Sequence, residues 1–409
     1  MGSPRSRALL LSSGLTGGMV MLASFTPTPL FPEYQEKWGI GELGVSTIFA
    51  AYPVGVLSCL VLLGGLSDVI GRRRSILIGG AVVLAALLVL ATAPSPAVMV
   101  AGRVLQGVGV ALASTAAASA LMDLHPGGSA SGSQFNTASI SIGVAAGPLL
   151  SGVLADTLPA PLVTPYLVVA GLVLVPVALA AAGPAVAPRP GVRLVKRISV
   201  PRELRRPFLA CAAAVAVTNV CTGLMGAFGP EVARSVGWDG AALNGIFVSV
   251  VLSAIAVAQI AGGRLSPRRA MLGGGVVAVA GWGVLGTGSA LASAPVAVVG
   301  SVVLGLGAGA ALLGSAASLA TWCPPARRAE LYAAWLLVPF TALGASAFSA
   351  GPLLASTSLL VVVACAAAFS ALATVVVAVL GRPATSRAAR SSPRPRPGRG
   401  RQPSRARRR

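Results

Sequence analysis

The 409-residue chain has few charged residues and very few acidic ones. Only 10% of its residues are Asp, Glu, Lys or Arg, and ten of these are acidic. Soluble globular proteins carry about 25% charged residues, so the composition excludes an ordinary water-soluble domain. The single His and the scattered acidic residues form no group of nucleophile, base and acid. The sequence therefore does not predict an enzyme.

Cysteine and aromatic residues are also scarce. The five cysteines stand singly in the chain, at Cys59, Cys211, Cys221, Cys323 and Cys365. They lack the spacing of metal ligands, so we predict no metal site and no cofactor, and we interpret them as small buried hydrophobic residues. Aromatic residues make up 5%, whereas glycine occurs 50 times. Close packing of helices through small side chains is expected from this balance.

Apolar residues dominate the chain, which is 55% hydrophobic and has a mean hydropathy of +0.84. A membrane-spanning helix needs about 20 mainly apolar residues. Breaks at Gly, Pro and charged residues divide the chain into twelve such runs. They lie at 8–30, 43–63, 76–93, 98–121, 132–155, 163–183, 207–229, 242–262, 271–292, 295–318, 331–355 and 358–380. The sequence therefore predicts an all-α membrane protein with twelve transmembrane helices.

Basic residues are distributed unevenly among the predicted loops. Of the 31, two lie on one side, at Lys37 and Arg234, Arg103 lies inside a helix, and the remaining 28 are on the other side. Lys and Arg concentrate in cytoplasmic loops. We therefore expect a multi-pass protein of the plasma (inner) membrane with both termini in the cytoplasm.

A segment rich in Pro and Arg separates six predicted helices from six. We expect an N-terminal six-helix bundle at 1–183, a cytoplasmic basic linker at 184–206, a C-terminal six-helix bundle at 207–381 and a disordered tail at 382–409. The tail contains eleven arginines and no acidic residue. We expect it to contact anionic lipid. Nucleic-acid binding is not expected, because no aromatic residue is interleaved with the arginines.

Short motifs recur in the two halves of the chain. Pro32-Glu33, Ile48-Phe49 and Gly64-Gly65 recur 198 residues later, Gly107-x-Gly109 recurs as Gly307-x-Gly309 after 200 residues, and Gly147-Pro-Leu-Leu150 recurs as Gly351-Pro-Leu-Leu354 after 204 residues. Their common order indicates a duplicated six-helix unit. The two bundles should then be related by pseudo-symmetry.

The predicted turn after the second helix, GGLSDVIGRRR, places charged residues between two apolar runs. Its pattern is set by Gly64, Asp68, Gly71, Arg72 and Arg73. It resembles the loop between helices two and three of major facilitator superfamily transporters, although Val69 stands where the family usually has a basic residue. The resemblance implies two pseudo-symmetric six-helix bundles and a loop that closes the cytoplasmic side in one state. It also implies a chain of ion pairs formed by Asp68, Arg72 and Asp123.

The fourth predicted helix contains Arg103, Gln106, Gly107 and Gly109. Arg103 and Gln106 share one helix face, and the segment is similar to the fourth-helix motif of the same family. An arginine in the hydrocarbon region is costly, which favours a functional role. The alternative is an arginine that extends to water at the helix end. The resemblance associates Arg103 with proton coupling, so a proton gradient is the expected energy source.

The fifth predicted helix contains Gly143, Gly147, Pro148, Ser151 and Gly152. The segment resembles the motif of drug:proton antiporters in the family. The match is partial, because Gln134 and Ser151 replace glycines of the fuller pattern. Gly143 and Gly147 form a small-xxx-small face, and Pro148 can kink the helix. Ordinary helix packing is the alternative reading.

Polar residues inside the predicted helices are sparse. The first, fifth and seventh helices border the cavity in this fold, which favours Thr16, Asn136 and Asn219 as substrate-cavity residues. Ser and Thr side chains on membrane helices often bond to the backbone instead. No carboxylate lies deep in a predicted span.

These patterns together favour a monomeric secondary transporter that exports a small organic, hydrophobic or drug-like compound by proton antiport with alternating access. A proton-coupled importer of a sugar or metabolite is the alternative within the same class. A membrane sensor or scaffold that does not transport, with the basic tail as its working part, is the alternative from another class.

Overall fold

The computed structural model describes residues 4–184, 194–195, 198–263, 265–324 and 327–381. These residues are organised as helices and turns, and they contain no strand. The predicted tail at 382–409 and much of the predicted linker lie outside the described residues. The residue bounds of the four predicted segments stay predictions.

Twelve helices are long and apolar enough to cross a membrane, which confirms the predicted fold class. They are Pro4–Phe25 (α1), Glu42–Leu63 (α2), Arg72–Ala91 (α3), Pro96–Leu124 (α4), Gly128–Thr157 (α5), Thr164–Ala182 (α6), Arg205–Ser235 (α7), Ala241–Ala261 (α8), Pro267–Ala290 (α9), Ala294–Trp322 (α10), Arg328–Ser356 (α11) and Leu359–Leu380 (α12). Proline occupies the first position of α4 and α9, where its missing N–H costs no helical hydrogen bond.

Two helix ends that lie near prolines differ from the predicted ones by more than four residues. The first run was expected to extend to residue 30, but α1 ends at Phe25, and a 3-10 turn and a short helix, Phe31–Trp38, follow. Pro27 and Pro29 lack the N–H groups that would continue α1. Conversely, α7 continues through Pro230 to Ser235, so Arg234, which was expected in a loop, lies inside the helix.

The twelve helices form two bundles with matching neighbours. In the first half, α1 packs against α4, α5 and α6, and in the second half α7 packs against α10, α11 and α12. The halves contact each other chiefly through two pairs of helices, α2 with α11 and α5 with α8. Exchanging the halves converts one pair into the other, as pseudo-symmetry requires.

Glycine contacts show which residues of the two halves are equivalent. A Cβ added at Gly107 would collide with the backbone of α2, and one at Gly109 would lie 2.8 Å from the backbone of α3. In the second half, Gly305 meets α8 and Gly307 meets α9 in the same way. The predicted pairing with Gly307-x-Gly309 is therefore wrong. A shift of two residues rotates a side chain by about 200° to the opposite helix face, and the correct offset is 198 residues.

The repeated Gly-Pro-Leu-Leu segments are not equivalent either. A Cβ added at Gly147 would lie 2.6 Å from the carbonyl oxygen of Leu22, in α1 of the same half. Gly351 instead faces Ser46, in α2 of the other half. The two copies therefore make different contacts, and their offset of 204 residues does not describe the structural repeat.

The two halves approach each other closely on one side of the molecule. We refer to the side where α1 begins and α12 ends as the terminal face, and to the opposite side as the far face. Within the described ranges, the glycine contacts that join the halves are Gly152 with Ala241, Gly226 with Phe49, Gly240 with Asp156, Gly245 with Pro148, Gly344 with Pro53 and Gly351 with Ser46. These contacts lie between the middle of the helices and the far face. The structure is therefore closed at the far face.

Candidate functional site

Arg103 lies in the interior of the first half. Its side chain is 1% exposed, and its Nη1 donates hydrogen bonds to the carbonyl oxygen of Ser24, at 2.8 Å, and to the amide oxygen of Gln106. The Gln106 side chain donates to the carbonyl oxygen of Ala23 at 2.9 Å. Both carbonyls belong to the last turn of α1, where the helical hydrogen-bond pattern ends, although the Ala23 carbonyl also accepts from the Thr26 N–H at 3.4 Å. The break after Phe25 thus creates the acceptors for the Arg103 side chain.

Two aromatic rings of α2 complete the surroundings of Arg103. Its guanidinium lies 4.9 Å from the ring centroid of Tyr52 and 5.8 Å from that of Phe49. Such cation–π contacts strengthen when water is excluded. Among the described residues no carboxylate forms an ion pair with Arg103, and its buried Nε has no hydrogen-bond partner. The alternative of an arginine that extends to water is wrong.

Sequence reasoning missed the buried tyrosines near this region. The hydroxyls of Tyr34 and Tyr166 are 3.0 Å apart and link the short helix Phe31–Trp38 to α6. With Tyr52, three of the four tyrosines of the chain lie in the interior of the first half. The sequence contains only four tyrosines, and a buried tyrosine hydroxyl usually needs a hydrogen-bond partner. These two facts were the signal that could have identified them.

Gly143 and Gly147 of the fifth-helix motif pack α5 against α1. A Cβ at Gly143 would collide with the backbone of Gly18 in α1. A Cβ at Gly147 would lie 2.6 Å from the carbonyl oxygen of Leu22, one turn further along α1. Between them these glycines bring α5 into backbone contact with α1, as a small-xxx-small face does. Ser151, which replaces a glycine of the fuller pattern, adds a hydrogen bond from its Oγ to the carbonyl oxygen of Thr26 at 2.6 Å.

The end of the motif contacts the other half of the molecule. A Cβ at Gly152 would collide with the carbonyl oxygen of Ala241, in the first turn of α8. A Cβ at Gly245 in α8 would likewise collide with the carbonyl oxygen of Pro148. The motif therefore packs α5 against α1 in its own half and against α8 in the other.

The charged turn on the terminal face contains the expected chain of ion pairs. Arg72, 6% exposed, donates from Nη1 to Asp68 at 3.1 Å and from Nε to Asp123 at 2.8 Å. Gly71 has φ +92°, a conformation that side chains disfavour, and it places Arg72 at the start of α3. These contacts join the turn to α4 within the first half. A role as a cytoplasmic gate stays a prediction, as does the place of Gly64 in it.

Arg73 has a different role from its neighbour. Its guanidinium donates from Nε to the carbonyl oxygen of Ala180 at 2.9 Å and also bonds the carbonyl oxygen of Ala181. These carbonyls belong to the last turn of α6, where a cation is favourable. Arg73 therefore caps α6 and lies apart from the chain of Asp68, Arg72 and Asp123.

The three predicted cavity residues differ in their polar contacts. Thr16 is 2% exposed and its hydroxyl donates to the carbonyl oxygen of Ser12, one turn earlier in α1. Asn219 likewise donates to Val215 of its own helix. Asn136 is half-buried and its side-chain oxygen has no hydrogen-bond partner. Their contact with a substrate stays a prediction.

A cleft rich in carboxylates opens at the far face. It encloses about 430 Å³ and is lined by Pro32, Glu33, Gln35, Glu36, Glu42, Glu231 and Arg234. Glu231 forms an ion pair with Arg234, and Gln35 donates to Glu42 at 3.2 Å. The sequence indicated acidic helix ends but not this cleft, because the residues come from both halves.

Comparisons with known proteins agree with this architecture. The family model described as Major Facilitator Superfamily matches residues 14–297. Two relatives come from Mycobacterium tuberculosis. The multidrug resistance protein Stp is 30% identical over 149 residues, or 36% of this chain and 28% of that protein, and the drug efflux pump JefA is 29% identical over 163 residues, or 38% and 31%. The matched segments are thus less than a third of the relatives' length.

Solved structures share the fold over nearly the whole chain. The human organic anion transporter MFSD10 (TETRAN) superposes with a TM-score of 0.68 at 17% identity, covering 92% of this chain and all of that one. A bacterial homologue of the human lysosomal transporter Spinster, in an inward-facing and occupied conformation, gives 0.69 at 14% identity, with 93% and 98% covered. At these identities the likeness concerns the fold.

Proposed function

Because the chain belongs to the Major Facilitator Superfamily, we propose that it is a secondary active transporter that exports a small hydrophobic or drug-like compound in exchange for protons. The observation that carries the proposal is the double packing of α5, against α1 through Gly143 and Gly147 and against α8 through Gly152. This segment resembles the antiporter motif, and it lies where the two halves must separate. The similarity to Stp, a multidrug resistance protein, and to JefA, a drug efflux pump, supports export.

Transport would proceed by rocking of the two halves. Within each half, glycines bring helix backbones into contact, so each half can move as a unit. The α2–α11 and α5–α8 contacts are the seams that must open for the far face to open. Under this proposal, a molecule closed at these seams would have its central site facing the terminal side.

The character of the transmembrane helices supports an uncharged or weakly polar substrate. These helices are strongly apolar, and many of their hydroxyls bond carbonyls of their own helix. A cavity built from such helices offers few fixed charges to a phosphorylated or strongly ionic compound.

Proton coupling requires a group that releases a proton during the cycle. Arg103 cannot be that group, because a guanidinium stays protonated in proteins. We assign it the role of a fixed positive charge that responds to movements of α1 and α2. The carboxylates of the far-face cleft lie where the halves meet, and they are the titratable groups that we assign to proton exchange.

The distribution of basic residues supports a cytoplasmic terminal face. The chain would then be a multi-pass protein of the inner membrane, and the far face would be the external one. The described conformation would be inward-facing under this assignment.

A comparison of growth tests the proposed function. Cells with and without the protein are exposed to a panel of hydrophobic toxic compounds. We expect raised resistance to part of the panel and lower cellular accumulation of those compounds. Greater sensitivity together with greater accumulation would support import and contradict export.

A further inference from the structure

The helix α8 begins without a capping side chain of its own. The residue before it, Gly240, has φ +100° and carries no hydrogen-bond acceptor beyond its backbone. The first N–H groups of a helix have no partner within the helix. A Ser, Thr, Asp or Asn at the cap position usually supplies one, so α8 needs an acceptor from elsewhere.

Asp156 supplies the acceptor from the other half of the molecule. It lies in the last turn of α5, and its Oδ1 accepts a hydrogen bond from the Ala241 N–H at 3.2 Å. Its Oδ2 accepts one from the Ala242 N–H at 2.8 Å. A carboxylate at this position also interacts favourably with the positive end of the helix dipole. Asp156 is thus a helix cap provided across the seam between the halves.

The cap lies at the far-face end of a seam in which the two backbones touch. One turn before Asp156, Gly152 meets the carbonyl oxygen of Ala241, and two turns before it the carbonyl of Pro148 meets Gly245. N–H···O hydrogen bonds in proteins have donor–acceptor distances of about 2.7–3.2 Å. A separation of α5 from α8 by one or two ångströms would therefore break both bonds of the cap.

The second seam between the halves has no such cap among the residues that the structure describes. There α2 begins after Gly41, also without a side-chain cap. Glu42, in the first turn of α2, is hydrogen-bonded to Gln35 of the same half. Among the described residues, no carboxylate of α11 caps the start of α2. The carboxylate contact is therefore specific to the α5–α8 seam.

We propose that Asp156 is a positioning residue for the transport cycle, which holds the far face closed by capping α8 and loses this contact when the far face opens. The proposal rests on the proposed function, since it requires alternation between two states. Asp156 acts through α8 and is not assigned a contact with substrate. Two states of a carrier differ by little free energy, and the loss of a helix cap shifts an equilibrium by about fivefold.

A cysteine in the other seam can report the opening of the far face. Ser46 of α2 is 0% exposed, and its side chain faces Gly351 of α11. The Ser46→Cys change is small, and it lies away from Asp156, so its labelling reflects movement of the halves. The background carries Cys365→Ser, because Cys365 is the exposed cysteine and the other four are buried.

The test compares the rate at which a membrane-impermeant maleimide, added at the far face, labels Ser46→Cys. We expect labelling about fivefold faster with Asp156→Ala and a smaller increase with Asp156→Asn, whose amide oxygen still accepts one bond without the charge. The matched control is Asp239→Asn, which removes an exposed charge beside the same helix end. Its labelling rate should equal that of the parent.

Equal labelling in the Asp156 variants and the parent, at matched abundance in the membrane, would overturn the proposal. An equal increase with Asp239→Asn would also overturn it, since the effect would then come from any nearby charge. If Asp156→Ala fails to reach the membrane, Asp156→Asn decides alone. Labelling requires no substrate, so a parent that labels as expected but does not export contradicts only the proposed function.

Discussion

Arg103 lies 4.9 Å from the ring centroid of Tyr52, and within the described residues it forms no ion pair with a carboxylate. The guanidinium depends instead on ring faces and on the carbonyl oxygens at the end of α1. A buried cation without a counter-charge is costly in a membrane protein. Its retention at the junction of α1, α2 and α4 is consistent with a role in coupling.

We therefore expect Arg103→Ala to reduce proton-driven export by roughly tenfold or more, since a buried charged hydrogen bond contributes about 1.5–3 kcal/mol. Substrate binding should change less than export. Arg103→Lys should recover only part of the activity, because an ammonium lacks the planar guanidinium that lies over the rings of Tyr52 and Phe49. The measurement is the export rate at several pH gradients beside substrate affinity. Uphill export with normal pH dependence in Arg103→Ala would show that the residue is not part of coupling.

The packing of α5 against α1 predicts that Gly147→Leu abolishes transport. The leucine would collide with the backbone of Leu22 and separate the helices, and overpacking typically costs about 1–3 kcal/mol. Gly171→Leu is the matched control, because no atom lies near a Cβ at this position of α6. Both proteins should reach the membrane, and only the control should transport. Normal transport in Gly147→Leu would remove the packing argument.

The chain from Asp68 through Arg72 to Asp123 predicts a modest effect of Asp68→Asn. The ion pair holds the charged turn to the first half, and its loss should weaken the state that is closed at the terminal face. Arg72 keeps its ion pair with Asp123 in this variant, so turnover should slow with little change in abundance. A cysteine at Asn136 should react faster with a reagent added at the terminal face. Glu203→Gln, an exposed charge on that face, is the control. Equal labelling in Asp68→Asn and the parent would exclude a gating role.

The unequal distribution of arginine predicts the orientation of the chain. Tags at both termini and within 184–206 should be protected in intact cells. Tags next to Glu36 and Asp239 should be reachable from outside. The reverse pattern of accessibility would invert the assignment of the two faces and, with it, the direction of transport.

The twelve helices could be predicted because hydrophobic length alone determines where a chain can cross a membrane. The ion pairs of Arg72 were predictable in part, since Asp68 lies one helical turn away in the sequence. The partners of Arg103 and Asp156 were not, because the break in α1 and the approach of α5 to α8 arise from tertiary packing. The repeat was predicted at two offsets that the structure contradicts. Short glycine motifs recur at several registers, and only their neighbours show which one is equivalent.

The most direct test of proton-driven export uses inside-out membrane vesicles with an acidic interior and a neutral, hydrophobic fluorescent compound added outside. Vesicles that contain the protein should accumulate the compound in proportion to the pH gradient. Vesicles without it, and vesicles treated with a protonophore, should not. Accumulation that persists after the gradient is collapsed, or loss of compound from preloaded vesicles as the gradient forms, would contradict export by proton antiport.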